Sequence, residues 1–126
     1  MRRWLSLWGP PLLLMAIIFF LSGQADIPGP DNLTLDRVFK KGAHALGYGL
    51  LAFSYARALA GMGARRVVLL ALVLTLLYAL SDEWHQTYVP TRNGNLLDVL
   101  IDLGGAIVGL LGWQLLQNRG QLDSAP

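Results

Sequence analysis

The sequence contains no cysteine and few charged residues. Without cysteine there is no disulfide, no thiolate nucleophile and no Cys-ligated zinc. Lys, Arg, Asp and Glu make up 14% of the 126 residues, against about 25% in average soluble domains. Because a soluble protein needs polar surface to face water, this composition argues against a soluble domain. The net charge of +2 is too small to suggest a nucleic-acid partner.

Long apolar stretches dominate what is present, and 54% of all residues are hydrophobic. A helix needs about 20 apolar residues to cross a hydrocarbon layer of about 30 Å, and each of four stretches is near that length. Four stretches are too few for a barrel, which needs about eight or more strands. We predict an all-α, integral membrane four-helix bundle. It forms a single domain over residues 1–126, with spans at about 4–22, 42–62, 66–85 and 96–116.

The first stretch has a second interpretation, as a cleaved signal peptide. Arg2-Arg3 precede it, and the small-residue segment Gly23-Gln24-Ala25 follows it like a cleavage site. The apolar cores of signal peptides span about 7–15 residues, whereas the run from Trp4 to Leu21 is longer. We therefore expect this stretch to be retained as the first span.

Lysines and arginines in the flanks of the spans predict the orientation. One side of the membrane would hold six of them: Arg2, Arg3, Arg57, Arg65, Arg66 and Arg119. The other side would hold four, diluted by aspartates: Arg37, Lys40, Lys41 and Arg92. We predict a multi-pass protein of the bacterial cytoplasmic (inner) membrane with both termini in the cytoplasm. Lys40 and Lys41 are the evidence against this orientation.

Ionisable side chains inside the spans fall at one depth, near the predicted outer face. An ionised carboxylate at the bilayer centre costs about 2.5–3.5 kcal/mol on insertion scales, so each needs a partner, water or a proton. A structural role is sufficient to explain any single one of these side chains, for instance a salt bridge of Arg92 with Asp98 or Glu83. For the whole set, function is the default interpretation. We predict a ligand-binding site of Lys41, His44, Tyr48, Asp82, Glu83, Gln86, Arg92, Asp98 and Asp102.

Helical spacing predicts which of these side chains share a face. Asp82 is turned about 100° from Glu83, so we expect the two carboxylates to face different partners. On the fourth span, helix-packing glycines follow the aspartates on one face, which lets another helix approach closely. This face consists of Asp98, Asp102, Gly105 and Gly109. A comparable stripe on the second span consists of Lys41, His44, Tyr48, Leu51 and Tyr55.

We expect neither a metal nor a cofactor. Nitrogen and oxygen ligands exist in His44, Glu83, His85, Asp98 and Asp102, but no spacing matches a signature such as H-E-x-x-H. The sequence also has no G-x-S-x-G motif and no phosphate-cradling loop. Whether the protein is an enzyme is therefore open at this point.

The polar and glycine positions form an ordered set: Phe20-Leu21-Ser22-Gly23-Gln24, Lys41-x-x-His44-x-x-x-Tyr48, Asp82-Glu83-x-x-Gln86, Pro90-x-Arg92, Asp98, Asp102, Gly105 and Gly109. This set resembles the VanZ-like family and extends from about Phe20 to Gly112. The resemblance implies a small multi-span protein of the cell envelope. The family's founding member is linked to low-level resistance to teicoplanin, a lipoglycopeptide antibiotic that acts at the outer membrane face. Asp102 stands where the family often has asparagine.

The leading functional hypothesis is the binding of an anionic or amphipathic ligand, a lipid head group or a lipoglycopeptide, at the outer leaflet. Lys41 and Arg92 would meet its charge. Aromatic side chains would lie at the membrane interface, namely Tyr48, Trp84 and Tyr88. Membrane lipids are the expected partners, and the sequence does not define the oligomeric state.

Two alternatives belong to other functional classes. One is an intramembrane enzyme acting on a lipid head group, with catalytic candidates Glu83 or Asp98 as general base or acid and His44 as proton carrier. The other is a small proton-coupled transporter with Asp102 and His44 as its relay. Turnover of lipid would identify the first, and pH-dependent flux the second.

Overall fold

The structure, a computed structural model, describes residues 1–24, 29, 31–90, 92 and 94–122. Within these ranges the chain forms four helices and no strand. They are α1 (Arg2–Ser22), α2 (Leu33–Gly61), α3 (Val67–Gln86) and α4 (Leu96–Leu122). The predicted all-α membrane bundle is confirmed. Ala25, in the segment considered as a cleavage site, lies outside the described residues.

Three of these helices are long and apolar enough to cross a membrane: α1, α3 and the segment Leu96–Gln121 of α4. The second helix is less apolar because it carries His44, two tyrosines and Arg57. It packs against all three other helices, most extensively against α4. His44 and both tyrosines are at least partly buried against other helices, where polar groups cost less than in lipid. The crossing of the membrane by α2 stays a prediction.

Large apolar side chains cover the outer faces of the helices. Leu13, Phe20, Leu77, Val108 and Leu115 are all more than half exposed. In water such extensive apolar surface is unfavourable, whereas in a hydrocarbon layer it is the ordinary lipid-facing surface. This exposure agrees with the membrane composition of the chain.

The second helix begins at Leu33, well before the predicted start of the second span at residue 42. Asn32 caps it, because its side-chain oxygen accepts hydrogen bonds from the backbone N–H groups of Thr34 and Leu35. Asp36 in the first turn forms an ion pair of 2.8 Å with Lys40. The prediction followed continuous apolar runs and therefore missed this beginning of α2, where charged residues interrupt the apolar ones.

The helices alternate in direction, so the two ends of the bundle differ. At one end Arg3 Nη2 donates a hydrogen bond to the carbonyl of Gly61, at 2.9 Å. At the other end Lys41 Nζ lies 2.7 Å from Asp98 Oδ1, and we call this the polar end. The opposite, basic end holds the six basic residues of one predicted side: Arg2, Arg3, Arg57, Arg65, Arg66 and Arg119. The positive-inside rule predicts that the basic end is cytoplasmic.

Cysteine labelling tests this orientation, because the chain has no native cysteine. Asp31 is exposed beside the start of α2 at the polar end, and Asn118 is exposed near the end of α4 at the basic end. A membrane-impermeant maleimide is expected to label Asp31→Cys in intact cells, and Asn118→Cys only after lysis. The reverse pattern would place the polar end in the cytoplasm.

Candidate functional site

A polar cavity of about 150 Å³ opens at the polar end, between α2, α3, α4 and Arg92 of the α3–α4 loop. It is lined by Arg37, Lys40, Lys41, His44, Glu83, Gln86, Arg92, Asp98, Ile101 and Asp102. The structure thus brings together most of the residues predicted to bind a ligand. The two others, Tyr48 and Asp82, are buried in the bundle beside the cavity. Ligand binding by any of them stays a prediction.

Four cations surround this cavity, and two of them have acidic partners. Lys40 is paired with Asp36, and Lys41 with Asp98. Arg37 and Arg92 form no ion pair with any residue that the structure describes. Because Arg37, Lys41 and His44 are spaced by three or four residues, α2 presents them on one face. Within the described ranges, two guanidinium groups are therefore without an acidic partner and open to an incoming anion.

The suggested salt bridge of Arg92 with Asp98 or Glu83 is not what the structure shows. Asp98 pairs with Lys41 instead, because α2 and α4 run parallel and place these side chains opposite each other. Arg92 Nε donates a hydrogen bond of 3.1 Å to the carbonyl of Gln24. This bond anchors the guanidinium at the mouth of the cavity and leaves further N–H donors for a ligand.

Glu83 joins the end of α3 to the start of α4. Its Oε2 accepts a hydrogen bond of 2.7 Å from the backbone N–H of Asn95. Asn95 in turn accepts a bond of 3.0 Å from the N–H of Leu97 through its side-chain oxygen, as a helix cap does. One oxygen of Glu83 is therefore committed to structure, while the residue still lines the cavity.

His44 and Asp102 form the deepest polar pair of the cavity. His44 Nδ1 lies 3.6 Å from Asp102 Oδ1, which makes an ion pair when the imidazole is protonated. Asp102 is 1% exposed, and among the described residues no hydrogen-bond donor lies within 3.5 Å of either carboxylate oxygen. Buried polar atoms are usually hydrogen-bonded to protein or water. Asp102 belongs to the cavity lining, but both of its oxygens are covered by protein and lie beside His44.

Asp82 belongs to a separate buried network. Its Oδ2 accepts hydrogen bonds from Ser22 Oγ at 2.7 Å, Tyr48 OH at 3.1 Å and Gln86 Nε2 at 3.4 Å. These bonds join α1, α2 and α3 at one point. Asp82 and Glu83 thus have different partners in the structure, in line with their angular separation. Ser22 was not among the predicted site residues; the sequence signal for it was its place in the family-like segment at the end of α1.

The expected interfacial position of Tyr48 is corrected by this network. Tyr48 is fully buried, because its hydroxyl donates to Asp82 and its ring packs in the core. The other two aromatic residues are exposed at the polar end, where Trp84 and Tyr88 lie edge to face with 6.0 Å between ring centroids. Such exposed amphipathic rings are typical of a membrane interface.

Two glycines allow the close approach that aligns the cavity walls. A Cβ at Gly105 would collide with the backbone of Ala45, and one at Gly109 with the backbone of Gly49. On each of the two parallel helices, two small residues spaced by four therefore lie at the point where α2 and α4 touch. The same register places Lys41 opposite Asp98 and His44 opposite Asp102.

Comparison with known proteins gives one match. The VanZ/LLP1 family model matches residues 8–117, whereas no curated protein and no solved structure matches the chain. The matched range covers most of the chain and contains the polar cavity, the Asp82 network and the glycine pair. The chain therefore belongs to the VanZ/LLP1 family.

Proposed function

We propose that this membrane protein binds the anionic head group of an amphipathic ligand in the polar cavity. The observation that carries the proposal is the pair of arginines at the cavity, Arg37 and Arg92, which have no acidic partner among the described residues. A planar guanidinium holds phosphate or carboxylate oxygens through two parallel hydrogen bonds. In the predicted orientation the ligand would come from the outer leaflet.

The size of the cavity favours a lipid head group over a lipoglycopeptide. Its volume is about 150 Å³, while sites for drug-sized ligands enclose about 300–1,000 Å³. A phosphate with a small polyol fits such a space, and a whole glycopeptide does not. Resistance to teicoplanin stays a prediction from the family resemblance, and a location in the inner membrane stays a prediction from the apolar spans and their basic flanks.

Replacement of both arginines tests the proposal. In purified Arg37→Gln/Arg92→Gln protein, affinity for lysophosphatidylglycerol, measured by native mass spectrometry in detergent, is expected to fall about a hundredfold or more. The reason is that hydrogen bonds to charged groups contribute about 1.5–3 kcal/mol each. The matched control is Arg65→Gln/Arg119→Gln, which removes the same charge at the basic end. Equal affinity of the two variants would refute an anion site in the cavity.

One observation favours a second candidate, the intramembrane lipid enzyme. His44 and Asp102 are 3.6 Å apart, an arrangement that can hold and pass a proton. Glu83 and Asp98, the other catalytic candidates, have one oxygen each committed to Asn95 and Lys41. Incubation of the protein with labelled lysophosphatidylglycerol separates the two functions, because a binding protein returns the lipid unchanged.

A further inference from the structure

An apolar groove of about 370 Å³ lies between α1 and α2, on the lipid-facing side of the bundle. Its walls include Ile17 and Leu21 of α1, together with Leu46 and Leu50 of α2. All four of these side chains are more than two-fifths exposed. The groove therefore opens sideways, toward the region that hydrocarbon would occupy.

The groove adjoins the polar cavity. Three residues line both spaces: Lys40, His44 and Arg92. A molecule lying in the groove would thus reach two cationic side chains at one end and, apart from His44 and Tyr48, only apolar side chains along the rest. This distribution of charge is complementary to an anionic head attached to a hydrocarbon chain.

The depth of the groove corresponds to one leaflet. Phe39 and Leu50, which line its two ends on α2, are about 16 Å apart at 1.5 Å per residue. Half of a hydrocarbon layer of about 30 Å has nearly the same thickness. A chain that begins at the head-group level would therefore run along the groove to about the bilayer midplane.

We propose that the groove holds an acyl chain of an anionic phospholipid whose phosphate lies at Arg92 and Arg37. This inference rests on the proposed head-group site and adds the chain-binding part of the same ligand. Glu83 lines the same cavity and has one oxygen bonded to Asn95, so its other oxygen accepts a hydrogen bond from a head-group hydroxyl. Phosphatidylglycerol carries both the phosphate and such hydroxyls, so it represents the ligand class.

A lipid chain fits this groove better than a second copy of the protein. The groove ends at Lys40 and Arg92. Lys40 is paired with Asp36, but a helix packed over the groove would bury Arg92, which has no acidic partner among the described residues. Burying a charge without a counter-charge is costly. A lipid supplies the counter-charge at the required end.

Two glycines of α2 allow a matched test. A Cβ at Gly47 would make ordinary contacts of 3.6 and 3.7 Å with Ile18, so a leucine there extends into the groove. A Cβ at Gly42 meets nothing within 4 Å, and this residue lines neither space. Both replacements add the same side chain to the same helix.

Gly47→Leu is expected to weaken binding of lysophosphatidylglycerol about tenfold or more relative to Gly42→Leu, because it displaces several methylene groups. Thermal unfolding in detergent is expected to be equal for the two variants. If Gly47→Leu unfolds at lower temperature, Ala43→Leu replaces it, since Ala43 lines the groove and is exposed. The same loss of affinity is then expected.

An error in the groove assignment and an error in the head-group assignment would give different experimental results. If groove variants bind like Gly42→Leu while the double arginine variant has lost affinity, the groove assignment is overturned and the head-group site stands. If monoacylglycerol, which lacks the phosphate, binds as tightly as lysophosphatidylglycerol, the anionic assignment is overturned. In that case, a loss of affinity on Gly47→Leu would show that the groove binds a hydrocarbon chain without any contribution from a phosphate.

Discussion

Leucine at Gly105 or Gly109 is expected to cause the largest loss of stability of any single replacement in this chain. The added Cβ would collide with backbone atoms of Ala45 or Gly49. A flexible side chain could move aside, but a helix backbone moves only with the whole helix. Overpacking in a core costs about 1–3 kcal/mol, and we expect about 3 kcal/mol or more here. Membrane helices also depend on such close packing for their association.

The neighbouring glycines provide the controls for this prediction. A Cβ at Gly104 or Gly112 meets nothing within 4 Å, so leucine at these positions adds the same side chain to the same helix without a collision. In thermal unfolding of detergent-purified protein, Gly105→Leu and Gly109→Leu are expected to melt well below Gly104→Leu and Gly112→Leu. Equal melting temperatures would mean that α4 does not pack against α2 through the face that contains Gly105 and Gly109.

Close packing and charge pairing in the polar cavity follow from one helix register. Gly105 and Gly109 bring α4 against Ala45 and Gly49 of α2. About one turn nearer to the polar end, the same close approach places His44 beside Asp102. One further turn along α4, it places Lys41 beside Asp98. Aspartate is too short to reach a distant helix, so its pairings depend on the glycines. Leucine at Gly105 should therefore disturb the polar cavity as well as stability.

Much of the architecture could be predicted from the sequence, because apolar length directly reflects the thickness of the membrane. The predicted spans at residues 66–85 and 4–22 differ from α3 and α1 by two residues or fewer at either end. The start of α2 could not be found in this way. Residues 33–41 mix apolar with charged side chains and form no continuous apolar run. Asn32 and Asp36 begin the helix by capping and pairing, which hydropathy does not record.

The sequence predicted which residues lie at the candidate site, but it did not predict which of them form ion pairs with each other. Depth and helical face suffice to place Glu83, Gln86 and Asp98 near one another, as they lie along the polar cavity. Pairing depends on which helices are neighbours, and proximity along the chain suggested Arg92 for Asp98. Because α2 and α4 pack side by side in parallel, Asp98 forms its ion pair with Lys41 instead. No periodicity in the sequence encodes that contact between distant segments.

Replacement of Asp82 by leucine is expected to have the second largest effect on stability. Ser22 and Tyr48, both fully buried, donate hydrogen bonds to its Oδ2. Each buried donor left without an acceptor costs about 1–3 kcal/mol. Ser22 can turn to a carbonyl of its own helix, whereas the hydroxyl of Tyr48 is held in place by the packed ring. Removal of a buried charge offsets part of the loss, so we expect a net loss of about 2–4 kcal/mol.

Asparagine at the same position separates the hydrogen bonds from the charge. Asp82→Asn retains a carbonyl acceptor for Ser22 and Tyr48, and it is expected to melt close to the unmodified protein. Glu83→Gln is the control on the adjacent residue, because its amide oxygen still accepts from Asn95; it is expected to stay folded. All three variants are compared by thermal unfolding in detergent. If Asp82→Leu proves as stable as the unmodified protein, the cost of burying this carboxylate exceeds the gain from its hydrogen bonds. The stability of the bundle would then not explain why the chain carries Asp82, and a role in the ligand site would be the remaining explanation.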